Sequence, residues 1–118
     1  KVQTVIVPDV ESQRLLASLY MRGDGIQQSS SKAVSLYLAA AMSGDTASQV
    51  ALATMYEHGS GVDVDLVTAY AFYALAADIQ DVDALTGVAR LRSTLSSQQL
   101  SEAVTLHDQL KKSVRIAN

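Results

Sequence analysis

The sequence has no cysteine, no tryptophan, one proline and one phenylalanine among its 118 residues. Without cysteine, the chain forms no disulfide and offers neither a thiolate nucleophile nor a cysteine-ligated zinc site. The scarcity of proline and aromatic residues, together with abundant alanine and leucine, favours helices over a β-sandwich. An apolar content of 48% is enough to build a core. The composition therefore predicts one all-α domain.

Positive charge is also scarce. The formal net charge is −3, and no lysine or arginine occurs from Ala33 to Ala89. A general nucleic-acid partner is excluded, because such binding depends on clustered cations. No apolar run is long enough to cross a bilayer, so direct membrane insertion is not expected. Because the chain begins at Lys1 rather than at methionine, we expect a processed or trimmed product.

Motifs that carry chemistry are missing as well. Two Gly-x-Gly motifs, at 23–25 and 59–61, lack a third glycine and follow predicted helices rather than strands, so they do not indicate a phosphate site. His58 and His107 are far apart in sequence and belong to no set with metal-ligand spacing. No serine lies in a nucleophile elbow. We therefore predict no catalytic, metal-binding or cofactor-binding residue, and no enzyme activity.

What the sequence does contain is an internal repeat, and the stretch from Leu52 to Ala77 is its clearest copy. Many of its residues recur 36 positions earlier without a gap, which is the signature of a repeat architecture. The matching pairs are Leu52 and Leu16, Ala53 and Ala17, Tyr56 and Tyr20, Gly59 and Gly23, Gly61 and Gly25, Ala69 and Ala33, Tyr73 and Tyr37, Ala76 and Ala40, and Ala77 and Ala41.

Capping residues and apolar periodicity predict six helices in three helix-turn-helix units. The first helix runs from the Asp9 cap to about Arg22, the second from Ser29–Ser31 to about Ser43, and the others span about 46–58, 66–78, 82–94 and 97–114. Ser96 and Gln99 form a capping box before the last helix. The predicted buried stripes include Leu15, Leu16, Leu19 and Tyr20 in the first helix, and Leu100, Ala103, Val104, His107, Leu110 and Val114 in the last.

The repeated pattern is Leu-small-x-x-Tyr-x-x-Gly-x-Gly-[Val/Ile], followed by a capping residue, alanine, an aromatic residue and Ala-Ala. It resembles the Sel-1-like repeat, a 36-residue relative of the tetratricopeptide repeat. The copies are LLASLYMRGDGI with AVSLYLAAAMSG, and ALATMYEHGSGV with AYAFYALAADIQ. ARLRSTLSSQQLSEA also resembles the closing segment of many bacterial members, although Ser97 stands where proline is usual. The resemblance implies a right-handed α/α superhelix of three hairpins.

We accordingly expect a Sel-1-like repeat domain over residues 9–118, with repeats at about 9–44, 45–80 and 81–114. Residues 1–8, KVQTVIVP, are apolar and β-branched and end in proline, which predicts an extended arm. Such an arm is either a strap on the first helix, the trimmed end of a longer protein, or a segment that docks on another copy.

The resemblance implies a non-enzymatic adaptor that presents a concave groove to a partner protein or peptide. It implies no shared catalytic residue, and it favours a bacterial periplasmic or exported protein over a cytoplasmic one. Positions on the first helix of each unit that point away from the packing stripe predict the groove. These are Arg14, Ser18, Met21, Val50, Thr54, Glu57, Thr86, Arg90 and Ser93.

Two other functions stay open. One is self-association, through Val2–Val7 or through the last helix, in a structural domain of an envelope or secretion assembly. The other is a helical domain of an enzyme, which would need a deep pocket with converging titratable groups.

Overall fold

Six helices follow one another in the computed structural model, which describes residues 9–117. They are α1 (Val10–Arg22), α2 (Ser30–Met42), α3 (Thr46–His58), α4 (Leu66–Ala77), α5 (Val82–Thr94) and α6 (Ser97–Ala117). This part of the chain contains no strand, so the all-α prediction is confirmed. The predicted arm at 1–8 lies outside the described residues.

Side-chain caps start the helices where the sequence predicts them. Asp9, Ser29, Asp45 and Asp65 each accept a hydrogen bond from the backbone N–H three residues further on. Each bond satisfies a donor that has no partner inside the helix. Ser96 and Gln99 exchange the two bonds of a capping box before α6. These polar residues therefore determine where the chain changes direction.

The helices stack as a solenoid around α4. α1 packs on α2, α2 on α3, α3 on α4, and α4 on both α5 and α6. Every residue from Tyr70 to Ala76 in α4 is buried, which explains why this helix is apolar on all sides. α6 lies along α4 in the same direction, since Gln99 near the start of α6 lines a cleft with Leu66 at the start of α4, and His107 in the middle of α6 reaches Asp78 just after α4. Beyond that contact α6 extends to α2.

Part of the predicted buried stripe on α1 is wrong. Leu15 and Leu16 are 57% and 39% exposed, whereas Leu52, the repeat equivalent of Leu16, is fully buried. The repeat pattern is the same, but no described helix precedes α1 to cover its outer side. The predicted burial of Val104 in α6 is also wrong. This side chain is exposed because it lies at the edge of a cleft between α5 and α6.

His107 is confirmed as a packed histidine, and its ring nitrogen Nε2 lies 2.8 Å from the Asp78 carboxylate.

In residues 9–117, no helix combines the length and the apolar character needed to cross a membrane.

Candidate interaction surface

Side-chain bonds link the odd-numbered helices: Arg14 of α1 bonds to the Asp45 cap of α3, and Arg90 of α5 bonds to Glu57 of α3. We call the face of these helices that carries the predicted groove residues the α1–α3–α5 surface. The nine predicted groove residues all lie on these helices, and Thr54, Thr86, Arg90 and Ser93 are exposed. The structure joins several of them through two tyrosines of the even-numbered helices, Tyr37 in α2 and Tyr73 in α4. Each tyrosine forms the floor of a notch between neighbouring units.

The notch between the second and third units is filled by the chain's own side chains. We call it the closed notch, formed by Thr54, Glu57, Tyr73, Gly87 and Arg90. The Tyr73 hydroxyl lies 3.0 Å from Thr54 Oγ1 and donates to Glu57 Oε1 at 2.8 Å. Arg90 donates from Nε to Glu57 Oε2 at 2.8 Å and from Nη2 to Oε1 at 2.7 Å. Its guanidinium carbon is 5.9 Å from the centre of the Tyr73 ring, within the range of a cation–π contact.

The ionisable groups of the closed notch, Glu57, Tyr73 and Arg90, shift one another's pKa. The Arg90 hydrogen bonds hold the pKa of Glu57 below its usual value, and the Tyr73 hydroxyl adds to this effect. Burial raises the pKa of Tyr73, and the neighbouring Glu57 carboxylate raises it further. Glu57 correspondingly raises the pKa of Arg90. At neutral pH the cluster therefore holds an ionised carboxylate, an ionised guanidinium and a neutral phenol.

Gly87 allows the Tyr73 ring to lie directly against the backbone of α5. A Cβ atom added at Gly87 would lie 2.7 Å from two ring carbons of Tyr73. That distance is well inside van der Waals contact, so the closed notch depends on a missing side chain in the next helix.

The equivalent notch between the first two units is empty of side chains. We call it the open notch; its cavity of about 310 Å³ is lined by Met21, Tyr37, Ala51, Thr54, Met55 and Ser60. Three positions carry the difference, counted at the 36-residue repeat offset. Met21 replaces Glu57, Thr54 replaces Arg90, and Ala51 replaces Gly87. The ion pair of the closed notch thus has no counterpart in the open notch.

Charge reaches the open notch from one side. Burial raises the pKa of Tyr37, whereas the nearby Ser18 hydroxyl and the charges of Arg22 and Arg14 lower it. Arg14 donates from Nη1 to Asp45 Oδ1 at 2.6 Å, and Arg22 donates from Nε to Asp24 Oδ2 at 2.8 Å. The charges acting on the Tyr37 hydroxyl are therefore two guanidinium groups, whereas Tyr73 experiences both a carboxylate and a guanidinium.

The structure brings together five of the nine predicted residues, Ser18, Met21, Thr54, Glu57 and Arg90, around the two tyrosines. Arg14 bonds instead to Asp45 at the start of α3, and only its charge reaches the Tyr37 hydroxyl. Val50 is half-buried against the core. Thr86 and Ser93 are exposed, and their hydroxyls bond to carbonyls of their own helix.

Sequence reasoning missed the role of Tyr37 and Tyr73 on this surface. It named them only as residues of the repeat pattern, but the Tyr73 hydroxyl bonds to side chains of α3 and the Tyr37 hydroxyl lies near Ser18 of α1. A signal was present: each tyrosine follows a hydroxyl residue, Ser18 or Thr54, by 19 positions in its own unit. Among the described residues, no group of three or more His, Asp or Glu side chains is arranged to hold a metal ion.

Comparison with known proteins identifies the repeat. The Sel1 repeat model matches residues 10–45 and 46–81, together more than half of the chain. The solved structure of c5321, described as a protective antigen present in uropathogenic Escherichia coli strains and displaying an SLR fold, is 26% identical with a TM-score of 0.87. A Sel1 repeat protein from Oxalobacter formigenes is also 26% identical, with a TM-score of 0.73.

The chain covers only part of these proteins. The similarity extends over 93% of this chain but 24% of c5321, and over 90% of this chain but 44% of the Oxalobacter protein. No curated protein gives a significant match. The repeat spacing, the helical solenoid and the family match agree, and the chain belongs to the Sel1 repeat family.

Proposed function

We propose that this protein is a non-enzymatic interaction module whose α1–α3–α5 surface binds a segment of another protein. The Sel1 repeat is commonly a protein-interaction module. The observation that carries the proposal is the open notch, a cavity of about 310 Å³ that joins two repeat units on a surface otherwise lined by polar groups. A volume at the lower end of the ligand-pocket range suits side chains of a peptide better than a cofactor.

The mechanism is presentation of a preformed surface. Capped helices and the Glu57–Arg90 pair hold the surface residues in place before any partner arrives. Binding then costs little conformational entropy on this side of the interface. Such a preformed surface suits an adaptor, because it binds selected partner segments without catalysing a reaction on them.

We place this adaptor outside the bacterial cytoplasm, in the periplasm or exported. The support is the likeness to c5321, which is described as a protective antigen of uropathogenic E. coli strains. The two proteins share this fold at 26% identity over 93% of this chain.

A matched pair of double variants tests the surface assignment. E57A/R90A removes one anion and one cation from the α1–α3–α5 surface, and E102A/K112A removes the same charges from exposed positions of α6. Proteins captured from a bacterial lysate by the wild-type chain are identified, and their affinities for the three purified proteins are then measured by calorimetry. We expect a partner whose affinity falls at least about ten-fold for E57A/R90A and is unchanged for E102A/K112A.

Circular dichroism and urea unfolding must show that both variants are folded at the assay temperature. Equal affinities for all three proteins would contradict the proposed surface. A larger loss for E102A/K112A would move the interface to α6.

Self-association is a second candidate function, favoured by the exposed outer side of the first unit. Leu15 and Leu16 are exposed there, and Leu16, Tyr20, Lys32 and Leu36 line a shallow cleft of about 280 Å³. Light scattering of the wild-type chain, the L15E/L16E variant and a chain lacking residues 1–8 tests it. A dimer that dissociates in L15E/L16E would support assembly through this side, and a wild-type monomer would exclude it.

A further inference from the structure

The internal repeat supplies a template for what the open notch holds. In the closed notch, the space above the Tyr73 ring is occupied by the Arg90 side chain, which is anchored by Glu57. At the equivalent positions of the open notch, Met21 replaces the anchoring carboxylate of Glu57, and the shorter side chain of Thr54 replaces Arg90. The cavity is therefore the volume that an arginine fills one unit further along.

The lining of this cavity determines the chemistry of its occupant. Met21, Met55 and Ala51 provide apolar walls, and the Tyr37 ring lies where the Tyr73 ring lies in the closed notch. No carboxylate lines the cavity, so an incoming cation would lose hydration without gaining a charged partner. An aliphatic side chain has no charge to desolvate, and the flexible thioethers of the two methionines adapt to its shape.

The rim of the open notch adds an electrostatic requirement. Arg22 donates from Nη1 to Ser18 Oγ at 3.0 Å, and Ser18, Arg22 and Arg14 are the groups that act on the Tyr37 hydroxyl. Each arginine already binds one carboxylate of the chain, Asp45 or Asp24, but a guanidinium carries five N–H donors and accommodates a second acceptor. The Arg22 side chain is more than half exposed. A carboxylate next to the inserted side chain is thus attracted to this rim, and an ammonium group is repelled.

We infer that the open notch binds one aliphatic side chain of a partner protein segment, and that an acidic residue adjacent to it in that segment faces Tyr37, Arg14 and Arg22. This inference rests on the proposed function and makes it specific. The closed notch is blocked by its own arginine, so of these two notches in the described structure only the open one offers such a position.

The methionines of the chain make the inference directly measurable. Of the three, Met21 and Met55 line the open notch, whereas Met42 lies in α2 against the core and serves as the internal reference. The full chain is labelled with ¹³C at the methionine methyl groups and titrated with the blocked peptide acetyl-Glu-Leu-Glu-amide. We expect the Met21 and Met55 signals to shift with a common dissociation constant and the Met42 signal to stay in place.

Two further peptides separate the apolar from the electrostatic part. Acetyl-Glu-Ala-Glu-amide should bind at least about ten-fold more weakly, because it buries several methylene equivalents less in the notch. Acetyl-Lys-Leu-Lys-amide should also bind at least about ten-fold more weakly, because both of its charges face arginines.

Variants built from the chain's own repeat test the location. M21E/T54R copies the Glu57 and Arg90 positions into the first notch, and A51L copies Leu15 from the equivalent position of α1. Both fill the cavity and should reduce binding of acetyl-Glu-Leu-Glu-amide at least about ten-fold, as read from Met55. E102M/K112T is the matched control, since it makes changes of the same kind at exposed positions of α6 and should leave binding in the open notch intact.

Absence of a Met21 and Met55 shift with the acidic leucine peptide would overturn the inference. So would equal binding of the lysine peptide, or unchanged binding by a folded A51L variant. If the peptides fail while E57A/R90A still loses a captured partner, the surface is correct and the notch chemistry is wrong. If both experiments fail, the proposed function itself fails.

Discussion

The open and closed notches occupy equivalent positions on one surface, yet one is a cavity and the other is filled. Their shared features are the residues of the repeat pattern, above all Tyr37 and Tyr73, each on the second helix of its unit. Their differences are confined to positions that the pattern leaves free: Met21 against Glu57, Thr54 against Arg90, and Ala51 against Gly87. The repeat residues thus determine the scaffold, and a few variable positions determine whether a notch binds its own chain or something else.

The largest effect that separates the two notches is expected at Gly87. Gly87→Ala places a Cβ atom 2.7 Å from the Tyr73 ring and forces the ring away from α5. Overpacking of this kind costs about 1–3 kcal/mol, of which alanine recovers up to about 1 kcal/mol through its helix propensity. We therefore expect a net destabilisation of about 1–2 kcal/mol in urea unfolding.

The matched change in the open notch is Ala51→Gly, which removes a methyl group next to a cavity. It should cost only about 1 kcal/mol, from helix propensity alone. A Gly87→Ala protein as stable as the wild type would show that Tyr73 has room to move, and that the closed notch does not depend on this glycine.

A second effect, no larger than that of Gly87→Ala, concerns the two members of the ion pair, which are buried to different extents. The Glu57 side chain is 11% exposed and that of Arg90 is 49% exposed. Arg90→Ala leaves a buried carboxylate with only the Tyr73 hydroxyl, and should cost about 1–2 kcal/mol. Glu57→Met leaves an exposed guanidinium that water solvates, so it should cost less than about 1 kcal/mol.

Urea unfolding of the two single variants at neutral pH measures this asymmetry. The reverse order, with Glu57→Met more destabilising than Arg90→Ala, would show that the carboxylate contributes mainly by organising Tyr73 and Thr54. Met21→Ala in the open notch serves as the comparison, since no ion pair is lost there.

The smallest effect is a pH dependence confined to the closed notch. The pKa of Glu57 is lower in the folded chain than its ordinary value of 4.5, so the unfolded chain binds the proton more readily. The stabilisation is fully present above pH 4.5 and is lost as the pH falls through the folded pKa. We expect the stability difference between wild type and Glu57→Gln to be constant from about pH 6 to 7 and to shrink below about pH 4.5.

The open notch has no carboxylate in its lining, so Met21→Gln should change stability equally at every pH in this range. A pH-independent difference for Glu57→Gln would mean that the Arg90 bonds do not persist in solution.

Much of the scaffold could be predicted from the sequence, because helix caps and repeat identities are local signals. Asp9, Ser29, Asp45 and Asp65 act on backbone groups three residues away, and a single chain segment contains both partners. The exposure of Leu15 and Leu16 could not be predicted in this way. Their apolar spacing matches that of a buried stripe, and only the absence of a covering helix in the described structure leaves them exposed.

The surface was predicted only in part, for a related reason. Helical periodicity places Thr54, Glu57 and Arg90 on the first helices of their units but does not indicate which side chains bond to one another. The Glu57–Arg90 pair connects residues 33 positions apart, and its partner Tyr73 comes from a helix that the periodicity assigned to the core. Bonds between units depend on the stacking distance of the helices, which a pattern within one helix does not contain.

The path of α6 has a consequence for how the molecule unfolds. In many helical arrays each unit contacts only its neighbours, so that terminal units can open separately. Here α6 lies along α4 and also reaches α2, which connects the third unit to the first. Unfolding any one unit then removes contacts from both others, so we expect the three units to melt together in one cooperative transition. A segment bound at the first two units would then protect the C-terminal helix as well, because its binding energy would add to the stability of all three units.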